Sequence, residues 1–267
     1  MKTHARWLAV AAVLALAACE TVPPPPPPPP ADAPVAIPAF IAAALSDPAR
    51  PDADRARDGA RKPGQILAWA GVRPGMKVID LVPGQGYFTR IFSKAVGPTG
   101  KVYAYVPAEL TAAAKGRPPS ISGWIGRAPF LNTRMILQRL PDLSAPEKVD
   151  MIFTAQNYHD MHLAFMGPAD LSVVNRQAFK ALKPGGVYII VDHSAKPGTG
   201  PADWENLHRI DPAVVRREVQ AAGFVYEGET RILRNSRDPL TAEVFDPAIR
   251  GKTDQFAYKF RKPRSAR

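Results

Sequence analysis

Three histidines and their carboxylate neighbours carry most of the chemistry this chain could perform. His159 is followed by Asp160 and preceded by Asn157 and Tyr158, Asp192 precedes His193, and His208 stands shortly before Asp211. An imidazole beside a carboxylate is a general-base pair when both serve one proton, and an amide such as Asn157 can orient a substrate. Adjacent residues need not hydrogen-bond each other, however, and a polar loop that satisfies its own backbone is the competing reading of 157–160. Asp211, directly before Pro212, is placed to cap a helix. The histidine spacings match no standard metal motif, so no metal is expected. A second constellation is Val78-Ile79-Asp80-Leu81-Val82-Pro83-Gly84-Gln85-Gly86. An apolar strand with one carboxylate, a glycine turn and a helix start make a ligand cradle at the carboxyl edge of a parallel sheet. Gly84 and Gly86 allow close backbone approach, and Asp80 can accept hydrogen bonds or pair with a cationic ligand.

These groups need a sheet to hold them. Apolar patterning predicts strands over Lys77 to Val82, Lys101 to Val106, Arg134 to Leu137, Val149 to Thr154, Val187 to Asp192 and Phe224 to Ile232. A last strand, Asp254 to Phe260, alternates, with Phe256, Tyr258 and Phe260 on one face. Helices are predicted over Ala39 to Leu45, Asp52 to Ala60, Gln65 to Ala70, Tyr87 to Ala95, Ala169 to Leu182 and Pro212 to Ala222. Strands alternating with helices imply an α/β fold with a mostly parallel sheet covered on both faces. Asp58, Arg61 and Lys62 are placed either to cover the ligand pocket or to form an exposed helical face.

The segment Val78 to Gly86 resembles the first motif of the class I S-adenosylmethionine (SAM)-dependent methyltransferases. Lys148 to Phe153 resembles their fourth strand, Leu182-Lys183-Pro184-Gly185-Gly186-Val187 the turn feeding their fifth, and Phe256 to Phe260 their last, antiparallel strand. The resemblance covers about Asp52 to Pro263. It implies a Rossmann-like fold with a seven-stranded, mostly parallel sheet, SAM as cofactor, and cofactor contacts from Asp80, Gly84, Gln85, Gly86 and Tyr158. It also implies His159 near the methyl group, with Asp160 and Asn157 as further catalytic candidates. Asn157-Tyr158-His159-Asp160, His208-Arg209-Ile210-Asp211 and Arg250-Gly251-Lys252-Thr253-Asp254 are similar to a predicted bacterial methyltransferase group. Two departures stand out. Val82 replaces the first glycine of the loop, and Lys101 to Pro107 ends without the acid that would hold a ribose diol. Either Glu109 folds back to do that work or the adenosine end is held differently. A nicotinamide cofactor suffers the same deficit, and Thr89 occupies the third glycine of its fingerprint.

The front of the chain carries a different signal. Lys2 and Arg6 precede an uncharged run from Trp7 to Ala18, too short to span a bilayer but suited to a secretory signal. Leu16-Ala17-Ala18-Cys19 resembles the lipobox of bacterial lipoproteins, which implies cleavage before Cys19 and lipidation of its sulfur. Cys19 is the single cysteine, which excludes an intramolecular disulfide and a cysteine metal cage. Pro23 to Pro30 should form a polyproline II spacer ~25 Å long. The expected organisation is a signal peptide over 1–18, lipidated cysteine and spacer over 19–36, a methyltransferase-like domain over 37–263, and a basic tail over 264–267.

Of the 267 residues, 46% are hydrophobic and 22% charged, which excludes wholesale disorder. The net charge of +11 suits an anionic membrane surface, and no recognised nucleic-acid-binding fold accompanies it. The expected location is the bacterial cell envelope, lipid-anchored and facing the periplasm. Three functions compete: a SAM-dependent methyltransferase with an unidentified acceptor, a non-catalytic envelope binding protein of the same fold, and a scaffold held to membrane or cell wall by its basic end. The second draws weight from a location outside the cytoplasm, where SAM is not made.

Overall fold

Every residue of the first strand after Lys77 is buried on both sides, so it can only sit inside a sheet covered on two faces. The computed structural model describes residues 35–167 and 169–264. The secretory signal, Cys19, the proline run and the last three residues of the basic tail lie outside the described residues. Strands β1 (Lys77–Leu81), β2 (Lys101–Pro107), β3 (Thr133–Gln138), β4 (Val149–Ala155), β5 (Leu182–His193), β6 (Val225–Thr230) and β7 (Gln255–Arg261) form one sheet in the order β3-β2-β1-β4-β5-β7-β6. β7 runs antiparallel to both neighbours, and the remaining pairings are parallel.

Side-chain alternation divides the interior into two layers. Ile79, Leu81, Tyr103, Tyr105, Ile152 and Tyr188 face one way, against α7 (Leu171–Ala181) and α9 (Pro212–Ala221). Val78, Val102, Met151, Phe153, Ile189 and Val191 face the other, against α1 (Ala39–Ser46), α4 (Pro63–Ala70) and α5 (Tyr87–Val96). The aromatic alternation of β7 follows the same rule: Phe256, Tyr258 and Phe260 join the first layer, and Ala257 joins the second.

The chain departs from the sequence-based expectation at short elements. Asp52 to Ala60 is not one helix but two, α2 (Asp52–Arg55) and α3 (Asp58–Arg61). The break lets Asp58 turn inward, where it accepts from both guanidinium Nη atoms of buried Arg50 at 2.6 and 2.9 Å and from the Tyr87 hydroxyl at 2.6 Å. The helices α6 (Ala108–Ala113) and α8 (Pro201–Leu207) had no amphipathic signal strong enough to predict them. Asp211 caps α9 as its type and position require, accepting from Ala213 N at 2.8 Å. Among the described residues no helix is long and apolar enough to cross a membrane.

A loop over 235–254 folds across the carboxyl end of the sheet, and one buried ion pair secures it. Arg209 donates to both carboxylate oxygens of Asp238 at 2.9 and 3.1 Å, and to the carbonyls of Ser194 and Ala242. Asp238 in turn accepts from Asp254 N at 2.6 Å, so one guanidinium links the end of β5, the loop and the start of β7. Arg209→Ala would leave a buried carboxylate without its cation, at a cost of about 3–5 kcal/mol. Urea denaturation of the full-length chain should show that loss.

Candidate active site

Two strand ends and the covering loop enclose a cleft of about 860 Å³ at the carboxyl edge of the sheet. It sits where the chain leaves β1 toward β2 on one side and β4 lies on the other, the position at which open α/β sheets place ligands. The β1 end supplies Asp80, Val82, Pro83, Gly84 and Gln85 to its wall, and the β4 end supplies Gln156, Asn157, His159 and Asp160.

Both strand ends carry a rare backbone conformation. Val82 has φ +59° and Gln156 has φ +63°. For a β-branched residue such as Val82 this is an outlier that costs on the order of 1–3 kcal/mol. Asn157 ties the two turns together, its Nδ2 donating to the carbonyls of Val82 at 3.2 Å and Ala155 at 2.5 Å. Its donor group therefore serves the backbone.

Asp80 is buried, and Thr89 Oγ1 donates to its Oδ2 at 2.5 Å. Burial pushes its pKa up to about 7, against the opposing pull of Thr89 and of the Arg61 charge. Gly84 has φ +56° and open space where a Cβ would point, as a close ligand approach requires. Gly86 is different. It does not line the cleft; its φ is +83°, and a Cβ there would overlap the Trp124 ring, so backbone conformation and packing explain this glycine.

Two further residues expected at the cofactor turn away from it. Tyr158 is buried in the first layer, donating to Glu218 at 2.9 Å and accepting from Asn175 at 2.8 Å. Glu109, at the start of α6, accepts from Leu140 N at 3.2 and 3.3 Å and does not reach the cleft. No residue of β2 lines the cavity, so the missing acid at its end has no substitute there.

His159 is held by two carboxylates. Asp192 accepts from its backbone N at 2.8 Å and lies 2.8 Å from its Nδ1, and Asp160 Oδ1 lies 3.2 Å from its Nε2. Burial alone would lower the His159 pKa, but Asp192 and Asp160 outweigh it and raise the value to about 10. The imidazole–carboxylate pair expected at 159 and 160 thus gains a second carboxylate, Asp192. His193 lines the cleft beside it, with Nδ1 2.8 Å from Thr253 Oγ1; burial lowers its pKa to about 3.

Arg57 was not expected at the site, and Arg250 and Lys252 were marked only by the resemblance of their segment, with no place in the cleft assigned to them. Arg57, Arg61, Arg250 and Lys252 all line the cleft. Arg61 donates to Gln156 Oε1 at 2.5 Å and lies 4.8 Å from the Tyr87 ring centroid; burial lowers its pKa to about 10, still charged at neutral pH. Of the helical strip 58–62, Arg61 covers the pocket, Asp58 braces Arg50 and Tyr87, and Lys62 donates to the Ile232 carbonyl at 2.7 Å.

This architecture recurs in known proteins. A SAM-dependent methyltransferase from Aquifex aeolicus superposes with a TM-score of 0.53 at 20% identity, covering 82% of this chain and 95% of that one. The fold is that of the class I methyltransferases. Over 185 residues the chain is 29% identical to the ubiquinone/menaquinone biosynthesis C-methyltransferase UbiE of Bordetella parapertussis, 67% of this chain and 66% of that protein. UbiE of Burkholderia vietnamiensis is 57% identical over 37 residues, 14% of this chain and 15% of that protein. The chain thus spans less than two thirds of either relative. No family model matches the chain.

Asp80 generates a test of the cleft. Its pKa is raised from the ordinary 3.8 to about 7, so the folded state holds a proton that the unfolded chain releases. Stability from this group is therefore greatest below pH 4 and is lost as pH rises toward 7, on the order of 4 kcal/mol in all. Asp80→Asn should raise the unfolding free energy at pH 8 by a few kcal/mol and change it little at pH 4, as measured by denaturant titration at both pH values.

Proposed function

We propose that this chain is a SAM-dependent methyltransferase, anchored to the bacterial envelope through a lipid on Cys19. The observation that carries the reading is Asp80, a buried carboxylate at the end of β1 beside an open glycine turn and a cleft of about 860 Å³. The residues present fit the amino-acid end of the cofactor. A carboxylate at Asp80 suits an ammonium group, the Gly84 turn admits close backbone approach, and the surrounding arginines suit a carboxylate. When bound, SAM supplies an electrophilic methyl group on a good leaving group, so the protein has little covalent work to do.

The chain's own residues then position and shield the acceptor. Asn157, fixed by its two backbone bonds, holds the β4 turn in place, and His159 lines the cleft from the same turn. Asp160 faces the cleft beside it, and together they are placed to orient the acceptor. Arg57, Arg250 and Lys252 give the mouth a positive character that favours an acceptor with negative charge.

A non-catalytic binding protein of the same fold is the second reading. It is favoured by β2 ending at Pro107 without an acid and by the turning away of Glu109. Transfer of labelled methyl groups from SAM to an envelope extract by the full-length chain would remove that reading.

Calorimetry with the full-length chain should show SAM binding in the wild type and at least a tenfold loss in Asp80→Asn. No binding by the wild type overturns the cofactor assignment. The anchor is tested by palmitate labelling in bacteria: label should appear in the wild type and vanish in Cys19→Ser.

A further inference from the structure

His208 is 48 positions after Asp160 in sequence, yet α8 ends so that the two meet. His208 has φ +53°, the left-handed conformation, at the close of that helix. This unusual backbone turns the ring toward Asp160, with His208 Nδ1 3.4 Å from Asp160 Oδ1, while Phe245 packs edge-on against its other side at 5.0 Å. His159 Nε2 approaches the same oxygen at 3.2 Å, and the three atoms all lie within 4.8 Å of one another. Asp160 Oδ1 is buried and makes no hydrogen bond. Two imidazole nitrogens therefore converge on a carboxylate oxygen at short range without hydrogen-bond geometry.

We propose that His159, Asp160 and His208 bind a divalent transition-metal ion on the wall of the cleft. Metal–ligand bonds of about 2.0–2.2 Å put neighbouring donor atoms ~3.0–3.5 Å apart, which matches the two short edges of this triangle. The second shell fits as well. A ligating histidine usually directs its other ring nitrogen at a carboxylate, which fixes its orientation and raises its basicity. Buried Asp192 occupies that position at His159 Nδ1, 2.8 Å away. Two histidines and one carboxylate leave coordination positions free, and this donor set suits zinc, manganese or iron. His159 and Asp160 line the cleft, so an ion held by them would be accessible to an acceptor there. There it would serve as a Lewis acid that binds an acceptor oxygen and eases loss of its proton. The site stands on its own geometry and does not require that SAM be the cofactor.

The test is titration of the tag-free full-length chain, first stripped with chelator, with Zn2+ by calorimetry and with Mn2+ by electron paramagnetic resonance. One saturable ion per chain is expected. His208→Ala and Asp160→Ala should each weaken binding at least ~10-fold, and Asp192→Asn should weaken it ~10–100-fold through His159. Circular dichroism checks that each variant is folded; should Asp192→Asn fail to fold, His208→Ala, whose side chain is partly exposed, decides. Absence of saturable binding in the wild type overturns the site and leaves a proton as the occupant of the triangle. Binding unchanged in His208→Ala overturns it too. SAM affinity, read separately in the same samples, distinguishes failure of this site from failure of the cofactor assignment.

Discussion

The carboxylate of Asp192 holds the reactive corner of this molecule together. It sits at the end of β5, fully buried, and accepts from the backbone of His159, from the His159 ring and from the backbone of His193. Burial would raise its pKa, but the neighbouring His159 charge and these bonds hold it below the ordinary carboxylate value. A buried anion of this kind is tolerable only when fully paired, because the desolvation cost of an ion is several kcal/mol. Its partners are thereby fixed: the β4 turn must come close enough to present both nitrogens of His159, and β5 must end where it does. The position of the cleft wall follows from satisfying one carboxylate.

The same edge concentrates backbone strain. Val82 and Gln156 hold left-handed conformations at the ends of adjacent strands, and His208 holds one at the end of α8. Each is compensated by specific contacts. Val82 N donates to Tyr105 O at 3.0 Å while its carbonyl receives Asn157; Gln156 N donates to Val191 O at 2.7 Å while its side chain bridges Arg61 and Gln255. Strain that survives under such determination aims side chains in directions that relaxed strands do not offer. Here it directs the β1 and β4 turns into one cavity.

How much of this was legible in the sequence follows from the range over which each feature is encoded. The Asp80 to Gly86 cradle is local: strand, turn and helix follow one another directly, and a continuous apolar run places Asp80 near the carboxyl end of a buried strand. The sheet was equally readable, since Phe256, Tyr258 and Phe260 announce one face of β7 by spacing alone. Glu109 and Tyr158 were misplaced for a common reason. Their types suit a ligand site, but side-chain direction is set by partners distant in sequence, Leu140 for one and Asn175 with Glu218 for the other. Gly86 shows the opposite confusion, a glycine of the expected motif held there by Trp124 from a separate loop. The position of the covering loop was not legible because it has little regular structure and depends on Arg209 finding Asp238.

The distribution of charge around the cleft limits what can occupy it. Asp80 lies deep in the cavity, where burial makes its ionised form expensive, while Arg57, Arg61, Arg250 and Lys252 supply positive charge to the same cavity. A cationic group on a ligand would offset the cost that burial imposes on the ionised form of Asp80. A ligand that carries an ammonium at one end and a carboxylate at the other can ionise Asp80 and still meet an arginine, turning two unfavourable environments into paired ones. The contrast between a buried acid and the basic groups near it would favour a zwitterionic amino-acid moiety. Shape alone, in a cleft this large, would not supply that preference.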